Sequence, residues 1–394
     1  MVNGQEFHCN RLFKVLGIKD KSTLKKISIQ LGVKAKLLEY YNNNRIFPDG
    51  EILQSILESF GFTDLELKLR LGVLDSKVIN WISNHPEVLL DAIPQGDIIP
   101  TKEAFGRANH ETEHGKLYQA DCIALMRTME AGSVDMIFAD PPFNIGKDYE
   151  SGMDDYLSEE NYLEWTETWL MECIRILAPG GSLFIYNLPY WQTHIANVLN
   201  KYLTFRHWIA IYMRGLIPVS GKLLPSHYGL LYYIKGDKPR VFNKHRIPMA
   251  TCRHCGGETH DYGGKKKSLS KDGLSIADVW VDIHPVRHTK LKNRESNELP
   301  IKMMHRIISF STNEGDLVFD PFGGSGTTYV VAEHLGRRWI GCEIGDISPI
   351  ISRLQSDNEA PLISKIEHES NILFTQEQRK LREKNQFWLP ETLK

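Results

Sequence analysis

Two hydrophobic rhythms divide this chain of 394 residues. Between residues 22 and 60 apolar side chains return every three or four positions, the spacing of one helix face. From residue 134 onward, short apolar runs alternate with amphipathic stretches, as strands joined by helices do. In the first region Ser22 and Thr23 stand where a helix cap belongs, ahead of a helix through Leu31 that Gly32 stops. A second helix is predicted from Val33 to Tyr41, broken by Asn42-Asn43-Asn44. A third runs from Glu51 to Phe60, with Ile52, Leu53, Ile56 and Leu57 on one face. Residues 62–90 read as further helix, and residues 91–115, with Pro94, Pro100 and Gly106, as a connection. The second region predicts strands at 134–139, 182–186, 209–212, 230–234, 316–319 and 338–342. Helices are predicted at 162–177, ended by Pro179-Gly180-Gly181, and at 299–310 and 327–335. This alternation predicts a doubly wound α/β sheet behind an all-α domain. Residues 236–296 break the rhythm; polar, basic and rich in Gly and His, they read as an insertion of loops.

Composition narrows the class. Apolar residues make up 42% of the chain, enough for a sizeable core. No run of eighteen apolar residues and no secretory leader is visible, so a membrane protein is not expected. Six cysteines without framework spacing fit a reducing, cytoplasmic setting. The net charge of −2 conceals an asymmetry. Residues 235–302 hold fifteen Lys/Arg against eight Asp/Glu, and residues 1–50 hold nine against four. Two basic regions in an otherwise acidic chain are the footprint of a polyanion partner.

Two segments carry the chemistry. Asp140-Pro141-Pro142-Phe143 closes an apolar strand with a carboxylate, two prolines and an aromatic ring. About 180 residues later, Asp320-Pro321-Phe322-Gly323-Gly324-Ser325-Gly326-Thr327-Thr328 closes another strand in a glycine-rich turn that leads into a helix. Glycine lets backbone approach a ligand closely, and open α/β sheets bind ligands beyond the carboxyl ends of their strands. The next strand ends in Glu343, about 20 residues on, where an acidic side chain can hold ribose hydroxyls. Thr327 stands where a P-loop would place lysine, which argues against a nucleoside triphosphate.

Together the two segments resemble those of the DNA amino-methyltransferases that modify adenine N6 or cytosine N4. Their order, base-gripping motif before cofactor motif, is that of the permuted β group. The resemblance covers residues 116 to about 350 and implies a Rossmann-like, S-adenosylmethionine-dependent methyltransferase fold. It implies that Phe322, Gly324, Gly326 and Thr327, after Asp320, line the methionine end of the cofactor. Glu343 would take the ribose, and Asp121 with Cys122 would lie near the adenine ring. Asp140 and the Pro141 carbonyl would accept the two N–H groups of the target amine, beside Pro142, while Phe143 stacks on the flipped base. Asp140 would thereby also border the cofactor. Asp at the first position goes mostly with adenine N6 in the family, Ser mostly with cytosine N4. Two departures stand out. The family usually has Tyr where Phe143 stands, and its His-Pro-Thr-x-Lys-Pro segment is replaced by Glu295-Ser296-Asn297-Glu298-Leu299-Pro300. Cofactor contacts there are expected from Asn297 or Glu298.

The β group places target recognition between the two motifs, here residues 215–296. Arg253, Lys265, Lys266, Lys267 and Arg287 are the leading DNA contacts in that stretch, alongside Lys222, Lys235, Arg240, Lys244 and Arg246. Cys252-Arg253-His254-Cys255-Gly256-Gly257 looks like half of a zinc ribbon, but no second Cys-x-x-Cys exists. His245, His260 and His284 lack diagnostic spacing, so a turn with free thiols and no metal is expected. The N-terminal helices resemble the repressor-type helix-turn-helix domain of phage regulators, whose second helix enters the major groove. Lys34, Lys36 and Tyr40 would lie on it; the competing reading is a dimerisation bundle.

The resulting expectation has five parts: a helical DNA-binding domain at 1–90, a linker at 91–115, a catalytic domain at 116–214 and 297–360, a recognition insertion at 215–296 and an extension at 361–394. The expected activity is adenine-N6 methylation of duplex DNA. Cytosine-N4 methylation, a regulator with an inactive methyltransferase scaffold, and a methyltransferase for RNA or protein amides are the rivals. A restriction endonuclease partner and a homodimer are expected from the resemblance.

Overall fold

A computed structural model describes residues 11–44, 46–90, 106–144, 157–213, 220–221, 223–261, 264–284 and 298–392. It divides into two compact units, residues 1–99 and 100–394.

The first unit contains helices Arg11–Val15, Lys21–Gln30, Ala35–Asn44, Gly50–Phe60, Asp64–Arg70, Ser76–Asn84 and Glu87–Leu90. The first five pack around Leu12, Phe13, Ile18, Leu24, Leu38, Ile56 and Leu67. The helix expected to begin at Ser22-Thr23 begins at Lys21, one or two residues earlier. Asp20 is its cap, accepting the Thr23 N–H, and Thr23 reciprocates as the other half of a capping box. The asparagine run at 42–44 does not break the next helix. Asn42 is buried, and its side-chain oxygen accepts the Phe13 N–H at 3.1 Å, so its polarity is satisfied inside the core. Gly32, with φ of 67°, turns the chain between the two helices as expected. Lys34, Lys36 and Tyr40 are exposed.

The second unit has eleven strands among its described residues: β1 (His110–Glu111), β2 (Gly115–Gln119), β3 (Val134–Ala139), β4 (Leu177–Asn187), β5 (Thr204–Tyr212), β6 (His227–Ile234), β7 (Arg246–Ile247), β8 (Leu274–Ser275), β9 (Val279–Trp280), β10 (Leu317–Asp320) and β11 (Arg338–Glu343). Nine form one sheet in the order β1-β2-β11-β10-β3-β4-β6-β5-β9. The run from β2 to β4 is parallel, and β6 enters antiparallel between β4 and β5. Alternating side chains feed two cores. Met136 and Phe138 join one with the helices Ile301–Ser311 and Thr327–His334. Ile137 and Ala139 join the other with the helices Cys122–Thr128, Glu159–Ile176 and Pro189–Leu199.

Three expectations are corrected. The connection assigned to 91–115 is partly sheet, because β1 begins at His110 and pairs with β2. Pro179-Gly180-Gly181 does not separate helix from strand but lies within β4, which starts at Leu177. A register shift against β3 and a φ of 74° at Gly180 accommodate the extra residues. The stretch 215–296 includes β6, a central strand, so the chain leaves the sheet only after Ile234.

Candidate active site

The sheet brings the two motifs together. From β3 the chain crosses over to β4 on one side, and from β10 to β11 on the other, so the winding reverses between β3 and β10. These strands are parallel neighbours, with Val318 opposite Met136 and Phe319 opposite Ile137. Asp140 and the glycine turn after Asp320 therefore leave adjacent strand ends at the topological switch point, where such sheets bind ligands.

The first motif is held by its neighbours' side chains. Tyr162 donates to the Pro142 carbonyl at 2.6 Å, and the Trp191 indole N–H donates to the Phe143 carbonyl at 2.7 Å. Asn144, at φ 50°, makes a two-way amide pair with the Leu157 backbone at 2.9 Å each way. These bonds fix the Pro-Pro-Phe backbone and engage the carbonyls of Pro142 and Phe143. The Phe143 ring lies 5.6 Å from Tyr228 and 6.2 Å from Tyr186, and those two rings are 5.2 Å apart. Burial, and then the charge of Asp140, push both tyrosine hydroxyls upward in pKa, so they stay protonated beside the carboxylate. The result is a three-ring aromatic wall with one carboxylate at its edge.

The second motif is built for close backbone approach. Gly324 and Gly326 have φ of 55° and 77°, and a Cβ on Gly326 would stand 2.7 Å from Ile350. Only glycine fits there without strain. Glu343 spans the turn, one carboxylate oxygen accepting the Gly324 N–H at 2.7 Å and the other the Gly345 N–H at 2.8 Å. Asp121 caps its own helix through the Ala124 N–H at 2.9 Å, at the end of β2, the strand paired with β11. Two carboxylates at neighbouring strand ends, with a glycine cradle beside them, fit a ligand carrying a ribose and a cationic methionine tail. Phe322 packs edge-on against Trp169 at 5.2 Å.

Other residues expected at the cofactor are engaged within the fold. Asp320 is buried; its carboxylate accepts the Phe322 N–H at 2.9 Å and the Thr328 hydroxyl, which shapes the turn. Cys122 is buried under the Asp121 cap, and its thiol is pushed up to about 12 by burial. Thr327 is buried and receives Arg353 at 2.9 Å. Arg353 is the residue that sequence reading missed. It also donates to the Ser325 carbonyl at 2.8 Å and pairs with Glu298 at 3.1 Å and Glu359 at 2.7 Å. Glu298, expected to touch cofactor, thus faces the guanidinium behind the turn. Asn297 lies outside the described residues.

Burial pushes Asp320 up to about 7, well above the ordinary carboxylate value near 4. A carboxyl whose folded pKa is raised gains a proton relative to the unfolded chain between those two values, so stability falls as pH rises through that window. Asp320→Asn keeps an acceptor for Phe322 without titrating. Melting curves from pH 4 to 8 should show a downward trend in the wild type that is reduced in Asp320→Asn; parallel trends would contradict the assignment.

Several residues expected to contact DNA also make contacts within the fold. Lys235 donates to the Ile174 and Leu177 carbonyls at 2.7 and 2.8 Å. Arg240 pairs with Asp135 and Asp316, and Arg246 donates to the Gly273 carbonyl. Lys266 pairs with Glu258 at 3.3 Å. Arg253 is exposed. Lys222 and Arg287 lie outside the described residues, as do the side chains of Lys265 and Lys267. Cys252 and Cys255 are free thiols, and among the described residues no three His, Cys, Asp or Glu converge as a metal site. No helix among those residues is long and apolar enough to cross a membrane.

The family model described as DNA methylase matches residues 134–347. The type II methyltransferase M.BamHI of Bacillus amyloliquefaciens is 44% identical over 91% of this chain and 86% of its own length. The DNA adenine methyltransferase YhdJ of Escherichia coli is 32% identical over 62% of this chain and 81% of its own. Among solved structures, the cytosine-N4-specific PvuII DNA methyltransferase aligns with a TM-score of 0.48 at 19% identity, covering 66% of this chain and 94% of that one. With Asp140 and a glycine-rich turn meeting at one switch point, this chain belongs to the DNA methylase family of N6-adenine and N4-cytosine methyltransferases.

Proposed function

We propose that this chain methylates the exocyclic amine of a base in duplex DNA, and that the base is adenine. The carrying observation is the adjacency of Asp140 and the Gly324–Gly326 turn at the ends of β3 and β10. S-adenosylmethionine, the cofactor, supplies a methyl group already activated on a sulfonium. Asp121 and Glu343 fit its ribose and adenine end, and Gly324, Gly326 and Phe322 fit its methionine end.

An exocyclic amine is a weak nucleophile because its lone pair is delocalised into the ring. Asp140 and the Pro141 carbonyl accept its two N–H groups and favour a tetrahedral nitrogen whose lone pair points toward the methyl donor. As the new N–C bond forms and the methyl group's bond to sulfur breaks, leaving a neutral thioether, the nitrogen sheds one proton, for which the Asp140 carboxylate is the acceptor. Fixing both reactants in line removes most of the entropic barrier. The base must leave the stack to reach this pocket, and the Phe143, Tyr186 and Tyr228 rings receive it. Adenine N6 and cytosine N4 present the same two N–H groups. The choice of adenine rests on Asp at position 140 and on the similarity to an adenine methyltransferase. Digestion of duplex DNA treated with the purified protein and S-adenosylmethionine, followed by mass spectrometry, decides it. N6-methyladenine is expected; N4-methylcytosine would keep the mechanism and overturn the choice of base.

The exposed Lys36 and Tyr40 on the helix Ala35–Asn44, with Lys34 just before it, support a DNA-binding role for the N-terminal unit as a helix-turn-helix. Removing residues 1–99 should weaken duplex binding about tenfold by loss of phosphate contacts, with the same nucleoside product. Unchanged affinity would favour dimerisation. A homodimer and a restriction endonuclease partner complete the proposal; size-exclusion chromatography with light scattering tests the first.

A further inference from the structure

Residues 361–394 read as an extension by sequence. In the structure their second half is folded into the insertion, more than a hundred residues away along the chain. The Met249 N–H donates to the Leu373 carbonyl at 2.9 Å, and the Asn371 N–H to the Arg246 carbonyl at 3.0 Å. Met249, Leu373, Phe374 and Leu389 form a separate small core, with Leu269, Leu274 and Trp388 against it. Neither segment supplies that core alone.

Arg382 sits at its centre, with none of its surface exposed. It donates to the Gly256 carbonyl at 2.7 Å and to the Trp388 carbonyl at 2.8 Å, and pairs with Glu258 at 3.3 Å. Its guanidinium lies 4.3 Å from the Phe374 ring centre and 4.8 Å from that of Trp388. Asn385 donates to the Cys255 carbonyl at 3.1 Å. The Arg382 bond to Gly256 and the Asn385 bond to Cys255 both end on the tight turn Cys252–Gly257, closed by the Cys252 N–H to the Gly257 carbonyl at 2.8 Å. The turn presents Arg253 and His254 to solvent, and Lys384 is exposed where the helix Gln376–Lys384 ends. A buried guanidinium that satisfies backbone carbonyls of a loop rigidifies that loop. An arginine held in a fixed orientation can make the bidentate guanine contact that is the commonest groove reading.

We infer that the C-terminal segment 371–392 is the second half of the DNA-recognition module, and that Arg382 is a positioning residue that fixes the Arg253–His254 tip against duplex DNA. This rests on the reading of the insertion as the recognition region. The module depends on residues outside the interval between the two catalytic motifs, so its specificity is encoded in two distant parts of the chain.

The test uses full-length protein and a fluorescein-labelled duplex carrying the methylated site. Arg382→Met removes the anchor; the double substitution Arg253→Ala with His254→Ala alters only the exposed tip. Each should weaken duplex binding about tenfold, the worth of one good groove contact, while the dissociation constant for S-adenosylmethionine stays within twofold of wild type (about that range). If the tip variant alone weakens binding, the role given to the C-terminal segment is overturned and the recognition reading of the insertion stands. If neither does, that reading falls as well. If Arg382→Met alone weakens it, the tip is not the reading point. Loss of cofactor binding in Arg382→Met would show that the segment supports the catalytic domain instead, which also overturns the inference.

Discussion

Asp140→Ala should reduce methyl transfer by about a thousandfold, the scale on which a positioned acid–base group acts, while S-adenosylmethionine binds almost as before. Asp140 stands at the end of β3 beside the aromatic wall of Phe143, Tyr186 and Tyr228, whereas the cradle for cofactor is built on β10 and β11. The backbone that carries it is held independently of its carboxylate, by Tyr162, Trp191 and Asn144. Removing the side chain therefore leaves the pocket standing but strips the target amine of an acceptor and the departing proton of a destination. Single-turnover transfer with calorimetric cofactor binding separates the two effects. Loss of cofactor affinity with residual chemistry would place Asp140 on the cofactor side of the site.

The second large effect is expected at Arg353, which touches neither reactant. Its side chain is 1% exposed and holds together Ser325, Thr327, Glu298 and Glu359. Arg353→Met removes the guanidinium that both carboxylates face, and breaking one side of a buried ion pair typically costs about 3–5 kcal/mol. Because two of the four partners belong to the glycine turn, part of that cost appears as weakened cofactor binding. Arg353→Lys restores charge but not the forked geometry and should fall between. A melting temperature lowered with cofactor affinity intact would show that the cluster stabilises the helix Ser348–Leu354 without shaping the turn.

These two residues mark what sequence could and could not reveal. Asp140 stands out in the sequence through its resemblance to the family motif, its place after an apolar strand and the glycine-rich segment downstream. The glycine turn was legible for the same reason, as was the winding that sets both motifs at strand ends. Arg353 was not, because nothing near it in sequence distinguishes a helix arginine from any other; its role exists only once Glu298 and Thr327 have been brought to it. Tyr162, Trp191 and Tyr228 are of the same kind, since each reaches the motif from a separate helix or strand. Arg382 is the extreme case, buried against Gly256 across 126 residues. The errors of local structure have local causes. Asn42 reads as a helix breaker because asparagine competes for backbone hydrogen bonds, but the Phe13 N–H occupies its side chain. Several lysines and arginines of the insertion read as DNA contacts by charge alone, yet Lys235, Arg240 and Arg246 satisfy carbonyls and carboxylates of the fold.

The most direct test of the account follows the methyl group itself. The protein is incubated with duplex DNA and S-adenosylmethionine labelled with tritium in the methyl group, and the DNA is digested to nucleosides. Label on an exocyclic base nitrogen, absent with Asp140→Ala, is the predicted result. Label on a ring carbon, or label found in RNA or protein but not in DNA, would contradict the assignment of Asp140 as the group that holds the target amine.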